Sequence, residues 1–145
     1  MPVREKSLVD SNVILKRIGR IRKCVAALEM IRRTHTRQQF LKDEMVQAAA
    51  ERNMQVAIQS VLDICNHIAA DLKLDVPDEE KQAIQILAAR KLIPQRLART
   101  LTEMTGMRNV LVHEYLEVDH GRLYSTLTSD LKDFEKLIQA VNRLI

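Results

Sequence analysis

The chain has 145 residues, a length that suits one domain with one hydrophobic core. Hydrophobic residues make up 46% and charged residues 29%, with three Gly, three Pro and 3% aromatics, which is a globular balance rich in helix formers. No apolar run approaches the ~20 residues of a membrane span, and the first ten residues lack the apolar segment of a signal peptide. We therefore expect a cytoplasmic protein.

Positive charge is concentrated in the first third of the chain. The formal net charge is +4, yet residues 1–50 hold eleven Lys or Arg against five Asp or Glu, whereas the remainder holds twelve against fourteen. A basic face of this kind can attract RNA, or it can be an ordinary solvated helix surface. Charge alone leaves both interpretations open.

The first predicted helix runs from near Val9 to about Arg33. Its apolar residues recur at alternating steps of three and four, which indicates one buried stripe: Ile14, Ile18, Ile21, Val25 and Leu28. Its cations lie about 160° away, on the face that we expect to be exposed: Lys16, Arg20 and Lys23.

A break follows the first helix, and a long helix follows the break. Thr36 and Gln39 have the spacing of a capping box for a short helical turn, and Asp43 can cap a helix from about Glu44 to Leu72. That helix is apolar on most sides, which places it in the middle of a bundle. One polar stripe remains on it, and it must meet solvent or a polar cleft: Arg52, Gln55, Gln59, Asp63 and Asn66.

The remaining sequence predicts further helical segments. Pro77 opens a helix to about Arg90, and Pro94 opens another that reaches Gly106 and continues towards Tyr115. Asp119 is expected to cap a last helix ending near Leu144. The fold prediction is an all-α, antiparallel up-and-down bundle of four main helices plus a short one, forming a single domain over 1–145. The two cysteines, Cys24 and Cys65, are expected to be buried reduced thiols.

The stretch GMRNVLVHEY places several polar side chains in an apolar run. Arg108 and His113 together suit metal-independent RNA cleavage, because His exchanges protons near neutral pH and a guanidinium can stabilise the charge of a phosphorane. Asn109 could orient the His or bind a phosphate oxygen, while Asp63 and Asn66 are candidate substrate-binding residues or a solvated face. No zinc motif or acidic dyad is present, so no metal or cofactor is expected.

Helix geometry constrains this site. On a straight helix Arg108 and His113 are about 140° apart, whereas Arg108 and Tyr115 are about 20° apart. A joint site therefore needs a distorted helix, an Arg side chain that wraps round the helix, or two subunits whose motifs face each other. We favour the dimer cleft, which also gives the polar stripe of the long helix a place to point.

RNVLVHEY resembles the Arg-x4-His-x-Tyr signature of the HepT-like branch of the HEPN superfamily. Three blocks resemble that family in the same order: FLKDEMVQAAAERNMQVAIQSVLDICNHIAADLKL, VPDEEKQAIQILAARKLIP and LTEMTGMRNVLVHEYLEVD. The resemblance implies a homodimeric all-α toxin of a type VII-like toxin–antitoxin system, with a metal-independent endoribonuclease site between two signature helices. Carried over by position, Arg108 and His113 are the catalytic pair.

The resemblance also implies the partner. An MntA-like nucleotidyltransferase antitoxin would adenylylate Tyr115 and so neutralise the toxin. The RNA substrate could equally be tRNA or mRNA. The alternative is a non-catalytic helical accessory module beside a nucleotidyltransferase, in which Arg108 and His113 only pair with carboxylates or cap backbone groups.

Overall fold

A computed structural model describes residues 10–74, 79, 82–112 and 117–145. These residues form seven helices and contain no strand. In chain order the helices are α1 (Ser11–Thr34), α2 (Arg37–Lys42), α3 (Glu44–Asp71), α4 (Gln82–Ala89), α5 (Gln95–Val112), α6 (His120–Ser129) and α7 (Leu131–Asn142). The all-α prediction is confirmed.

The long helices α1 and α3 pack against each other in antiparallel directions. The backbone N–H of Asp10, before α1, donates to the Asp71 carboxylate at the end of α3 over 2.9 Å. Two turns further along α1, Arg17 Nε lies 3.2 Å from Asp63 Oδ2. The two contacts pair low residue numbers on one helix with high numbers on the other, as antiparallel packing requires.

The predicted faces of α1 are confirmed. Its apolar residues Ile14, Ile18, Ile21 and Leu28 are buried, and Val25 is partly buried against them. The three predicted cations of the opposite face are exposed: Lys16, Arg20 and Lys23.

Both predicted caps around the break are confirmed. Thr36 and Gln39 form a capping box at the start of α2, with the Gln39 N–H donating to Thr36 Oγ1 over 3.2 Å. Asp43 accepts from the Val46 N–H over 3.1 Å and so satisfies a donor at the start of α3. Together these caps turn the chain from α1 into α3.

Helix α3 lies at the centre of the bundle, where it packs against α1, α2, α4 and α5. Its buried residues belong to one continuous apolar cluster that also receives side chains from the other helices. Cys24 and Cys65 are free and buried, as predicted. Burial raises the pKa of the Cys65 thiol to about 12.

The predicted last helix is interrupted at Asp130, and this was not anticipated. Asp119 caps α6 as predicted, through the Arg122 N–H at 3.0 Å, but the backbone of Asp130 departs from helical values with φ −116° and ψ −5°. Three hydroxyl groups near this end donate to backbone carbonyls of α6: those of Ser125, Thr126 and Thr128. Such bonds compete with the backbone hydrogen bonds of the helix and weaken it slightly. The break allows both α6 and α7 to direct leucines into the core.

Two other predicted boundaries are only partly covered. Pro77 lies outside the described residues, and the helix expected after it is described from Gln82. Pro94 accepts from the Ala98 N–H over 3.0 Å at the start of α5, as a residue beside the first helical position does. Helix α5 passes through Gly106 and is described as far as Val112; Tyr115 lies beyond the described part. No described helix is both long enough and apolar enough to cross a membrane.

Candidate active site

The described part of the signature lies on the last two turns of α5. Arg108 is partly buried and Asn109 is exposed. His113 and Tyr115 lie outside the described residues, so the predicted catalytic pair is described only on the arginine side. The described part of the site therefore consists of Arg108 and the residues that contact it.

Among the described residues, two amide oxygens accept hydrogen bonds from the guanidinium of Arg108. Its Nη1 donates to Gln59 Oε1 over 2.6 Å, and its Nη2 donates to Asn109 Oδ1 over 3.1 Å. Both acceptors are neutral, so neither bond cancels the positive charge of Arg108. Asn109 thus contacts the guanidinium, in addition to the roles proposed for it from the sequence.

Gln59 extends this contact along α3. Its Nε2 donates to Asp63 Oδ1 over 2.9 Å, and Asp63 Oδ2 lies 3.2 Å from Arg17 Nε on α1. We name the continuous set Arg17–Asp63–Gln59–Arg108 the polar relay. It joins three helices at one corner of the bundle, where the polar stripe of α3 meets α1 and the end of α5.

Sequence reasoning placed Gln59 on the polar stripe but did not identify it as a site residue. The available signal was its position one helical turn before Asp63, on a helix otherwise apolar on most sides. Asp63 was predicted to bind substrate, and the structure places it against Gln59 and Arg17. Asn66, one turn further on, donates from its side-chain amide to the Leu62 carbonyl over 2.9 Å.

The surroundings of the relay are positively charged. Lys16 and Arg20 flank Arg17 on α1, and both are exposed. One turn further on, burial raises the pKa of the Cys24 thiol, while the charges of Arg20 and Lys23 act in the opposite direction. A polyanion approaching Arg108 along α1 would therefore meet a positive potential.

The relay suits phosphate chemistry more than metal chemistry. Within the described ranges, no group of three or more His, Cys, Asp or Glu could hold a metal ion. A guanidinium can present its charge to a phosphate, which is the electrostatic contribution that phosphoryl transfer requires. A proton donor and acceptor must come from residues other than those of the relay.

The helical fold is similar to that of a solved HEPN toxin. With a TM-score of 0.84 and 28% identity, the chain is similar to the tri-AMPylated Shewanella oneidensis HEPN toxin solved in complex with MNT antitoxin, over 90% of this chain and 96% of that one. The Ribonuclease HepT-like family matches residues 14–141. The chain belongs to this family, which confirms the resemblance drawn from its sequence.

Two characterised relatives are similar over most of their length. The mRNA nuclease HepT of Shewanella oneidensis is 28% identical over 131 residues, which are 90% of this chain and 97% of the relative. The tRNA nuclease HepT of Aphanizomenon flos-aquae is 26% identical over 103 residues, which are 71% of this chain and 70% of that protein. The two relatives bear names that specify different classes of RNA.

Proposed function

We propose that this chain is the toxin of a type VII-like toxin–antitoxin pair and that it cuts RNA as a metal-independent endoribonuclease. The observation that carries the proposal is the fixed, charged guanidinium of Arg108 beside the basic face of α1, in a chain of the Ribonuclease HepT-like family. The toxin would act in the cytoplasm, where its substrate is found.

The proposed reaction is an internal transesterification. The ribose 2′-oxygen attacks the adjacent phosphorus while a base removes the 2′-hydroxyl proton, and the P–O5′ bond breaks. The products are a 2′,3′-cyclic phosphate and a 5′-hydroxyl, which forms when the leaving 5′-oxygen takes up a proton. Arg108 would stabilise the negative charge on the equatorial oxygens, and His113 would exchange the protons. The role of His113 rests on the signature alone.

The complete site is proposed to form between two protomers. On a straight helix, Arg108 and His113 would be about 140° apart, so a single helix would direct them differently. A two-fold axis close to the end of α5 would bring Arg108 of one protomer near His113 of its partner. Mixing Arg108→Ala and His113→Ala proteins tests this: a shared site regains part of the wild-type activity in the heterodimer, whereas a site within one chain regains none.

Regulation is proposed to act through Tyr115. A partner nucleotidyltransferase of the MntA type would transfer AMP to its hydroxyl, adding a phosphate charge and bulk close to Arg108. That phosphate would compete with RNA for the guanidinium. Tyr115→Phe should remain a toxin in cells that contain the antitoxin, whereas the wild-type chain should be silenced.

Tyr124 provides the matched control for modification. Its hydroxyl donates to the His35 carbonyl over 2.6 Å and its ring packs on Phe40, so it is engaged in the fold. Mass spectrometry should place added AMP on Tyr115 in the wild type and in Tyr124→Phe. Modification of Tyr124 instead would refute this regulatory mechanism.

The nuclease proposal is tested with purified protein and RNA in EDTA. Wild type should cut, Arg108→Ala and His113→Ala should each lose at least about 100-fold in rate, and RNA with a 2′-deoxy group at the cut site should resist. Equal cleavage by wild type and both variants would attribute the activity to a contaminant and refute the assignment.

A second candidate function is a non-catalytic accessory module. The observation that favours it is that both terminal nitrogens of Arg108 are engaged by side chains of the same chain, as in a structural arginine. Expression of the chain alone in bacteria separates the two. A nuclease arrests growth and the Arg108→Ala variant relieves the arrest, whereas a binding module permits growth in both cases at equal amounts of folded protein.

A further inference from the structure

We propose that Gln59 is a positioning residue of the nuclease, and that Asp63 and Arg17 act on catalysis through it. This inference rests on the proposed function and adds to it a part of the site that lies far from the signature in sequence. Gln59 and Arg108 are 49 residues apart, yet their side chains form a bond of 2.6 Å.

The direction of the hydrogen bonds fixes the Gln59 amide. Its oxygen must face Arg108, because arginine only donates, and its nitrogen must face Asp63, because a carboxylate only accepts. Turning the amide over would place two donors together at one end and two acceptors at the other. Asp63 therefore selects the amide orientation that binds the guanidinium.

Asp63 is itself held in place from α1. One carboxylate oxygen accepts from Gln59 over 2.9 Å, and the other lies 3.2 Å from Arg17 Nε. The side chains of Arg17 and Asp63 are 33% and 36% exposed, so solvent screens the ion pair and its contribution is chiefly geometric. It restricts the carboxylate to rotamers that reach Gln59.

The backbone beneath Gln59 is among the most enclosed parts of the molecule. Its neighbours Ile58 and Ser60 are buried, and the Ser60 hydroxyl donates to the Val56 carbonyl over 2.9 Å. Gln59 thus extends from the core helix towards a guanidinium near the described end of α5. A charge that is oriented by a rigid helix can stabilise the transition state more than the ground state.

The neutrality of Gln59 has a consequence for catalysis. A carboxylate at this position could accept the same bond from Arg108, but it would also oppose the charge that the phosphate must meet. It would, in addition, lie beside Asp63 and repel it. Gln59 orients Arg108 and leaves its charge intact.

The test uses the full chain with RNA and compares Gln59→Met with Gln55→Met. Gln55 lies one turn earlier on the same stripe, is partly buried like Gln59, and makes no described contact with Arg108. Methionine keeps the length of the side chain and removes the amide. We expect Gln59→Met to lower kcat about tenfold or more with KM changed less than about twofold, the size of effect of losing a bond to a charged group. Gln55→Met should lower kcat clearly less than Gln59→Met does, because it removes no described bond to Arg108.

Substitutions at Asp63 supply a readout that a merely structural role would not change. Asp63→Asn offers one acceptor oxygen in place of two, so its kcat should lie between those of wild type and Gln59→Met, whereas Asp63→Leu should fall as far as Gln59→Met. The double variant Gln59→Met/Asp63→Leu should fall no further than Gln59→Met alone, because both residues act through one contact. Additive losses in the double variant would overturn the relay.

If either apolar variant fails to fold, Gln59→Glu tests the positioning role of the neutral amide instead. Gln59→Glu keeps size and polarity but adds a negative charge, so it should raise KM for RNA as well as lower kcat. Kinetic constants equal to those of wild type would contradict a role for the neutral amide.

Failure of this inference is distinguishable from failure of the proposed function. If wild type cuts RNA and Gln59→Met cuts as well as Gln55→Met, the positioning role is wrong and the nuclease stands. If wild type does not cut RNA in EDTA, the nuclease assignment is wrong, and the positioning role falls with it.

Discussion

Removing the basic face of α1 should change how salt affects RNA binding. The perturbation is the triple substitution of Lys16, Arg20 and Lys23 by Gln, which lowers the formal net charge from +4 to about +1. All three side chains are exposed, so their loss should leave the core intact. They span eight residues of one helix, about 10 Å along its axis, close to Arg17 and the relay.

The magnitude follows from counterion release. Each phosphate contact on a single strand contributes about 0.7 to the slope of log K against log salt, so three lost contacts reduce the slope by about 2. Between 50 and 200 mM salt, wild type should therefore lose about 20-fold more affinity than the triple variant does. Recognition should rest on the phosphate backbone, since the chain has two Tyr, two Phe and no Trp for base stacking.

The assay is a fluorescence-anisotropy titration of labelled RNA across salt concentrations. Every protein carries His113→Ala, so that the RNA is not consumed. The matched control replaces Arg90, Lys91 and Arg99 by Gln, three exposed cations on α5 and in the connection that precedes it. Equal slopes for the two triple variants would refute the interpretation of α1 as the RNA-binding face.

Three further predictions concern the fold. Phe40→Ala should lower the free energy of unfolding, measured by urea denaturation, by about 3–5 kcal/mol, because the ring is fully buried. The control Leu41→Ala removes an exposed side chain and should lower it by under about 1 kcal/mol. Similar losses in the two variants would contradict the assignment of Phe40 to the core. Tyr124→Phe should cost about 1 kcal/mol, or about 2–4 °C in Tm, by removing the bond to His35; an unchanged Tm would show that the bond contributes nothing. Burial holds the pKa of Cys65 at about 12, so Cys65 should not react with a thiol reagent at pH 8 in the folded chain and should react in the denatured chain; labelling of Cys65 in the folded chain, located by mass spectrometry, would contradict its burial.

Much of the fold could be predicted because its signals are local. Runs of three to five residues are enough to recognise the spacing of apolar residues along α1 and α3. The same holds for the helix caps at Thr36, Asp43 and Asp119. The break at Asp130 could not be predicted, because no Pro or Gly marks it. The position of the break depends on how the leucines of α6 and α7 pack into the core, and this packing cannot be read from the local sequence.

The site could be predicted only where a signature exists. Arg108 stands in a ten-residue pattern, and its roles remain predictions together with those of His113 and Tyr115. Gln59 could not be identified, because its function depends on a neighbour 49 positions away and because Gln55, one turn earlier, gives the same local signal. Asp63 is predicted from the sequence as a candidate substrate-binding residue or as part of a solvated face, and its contacts with Gln59 and Arg17 favour a supporting role.

Helix α3 is both the centre of the core and one wall of the proposed site. Residues on its polar stripe alternate closely with buried ones, so that Gln59 stands between Ile58 and Ser60 and Asp63 stands between Leu62 and Ile64. A mutation that alters RNA cleavage from this side must therefore be accommodated by the packing of the whole bundle. Variants selected for loss of toxicity should differ in their abundance in the cell. Those with substitutions on α3 should be less abundant than wild type, whereas those at Arg108 should accumulate at normal levels.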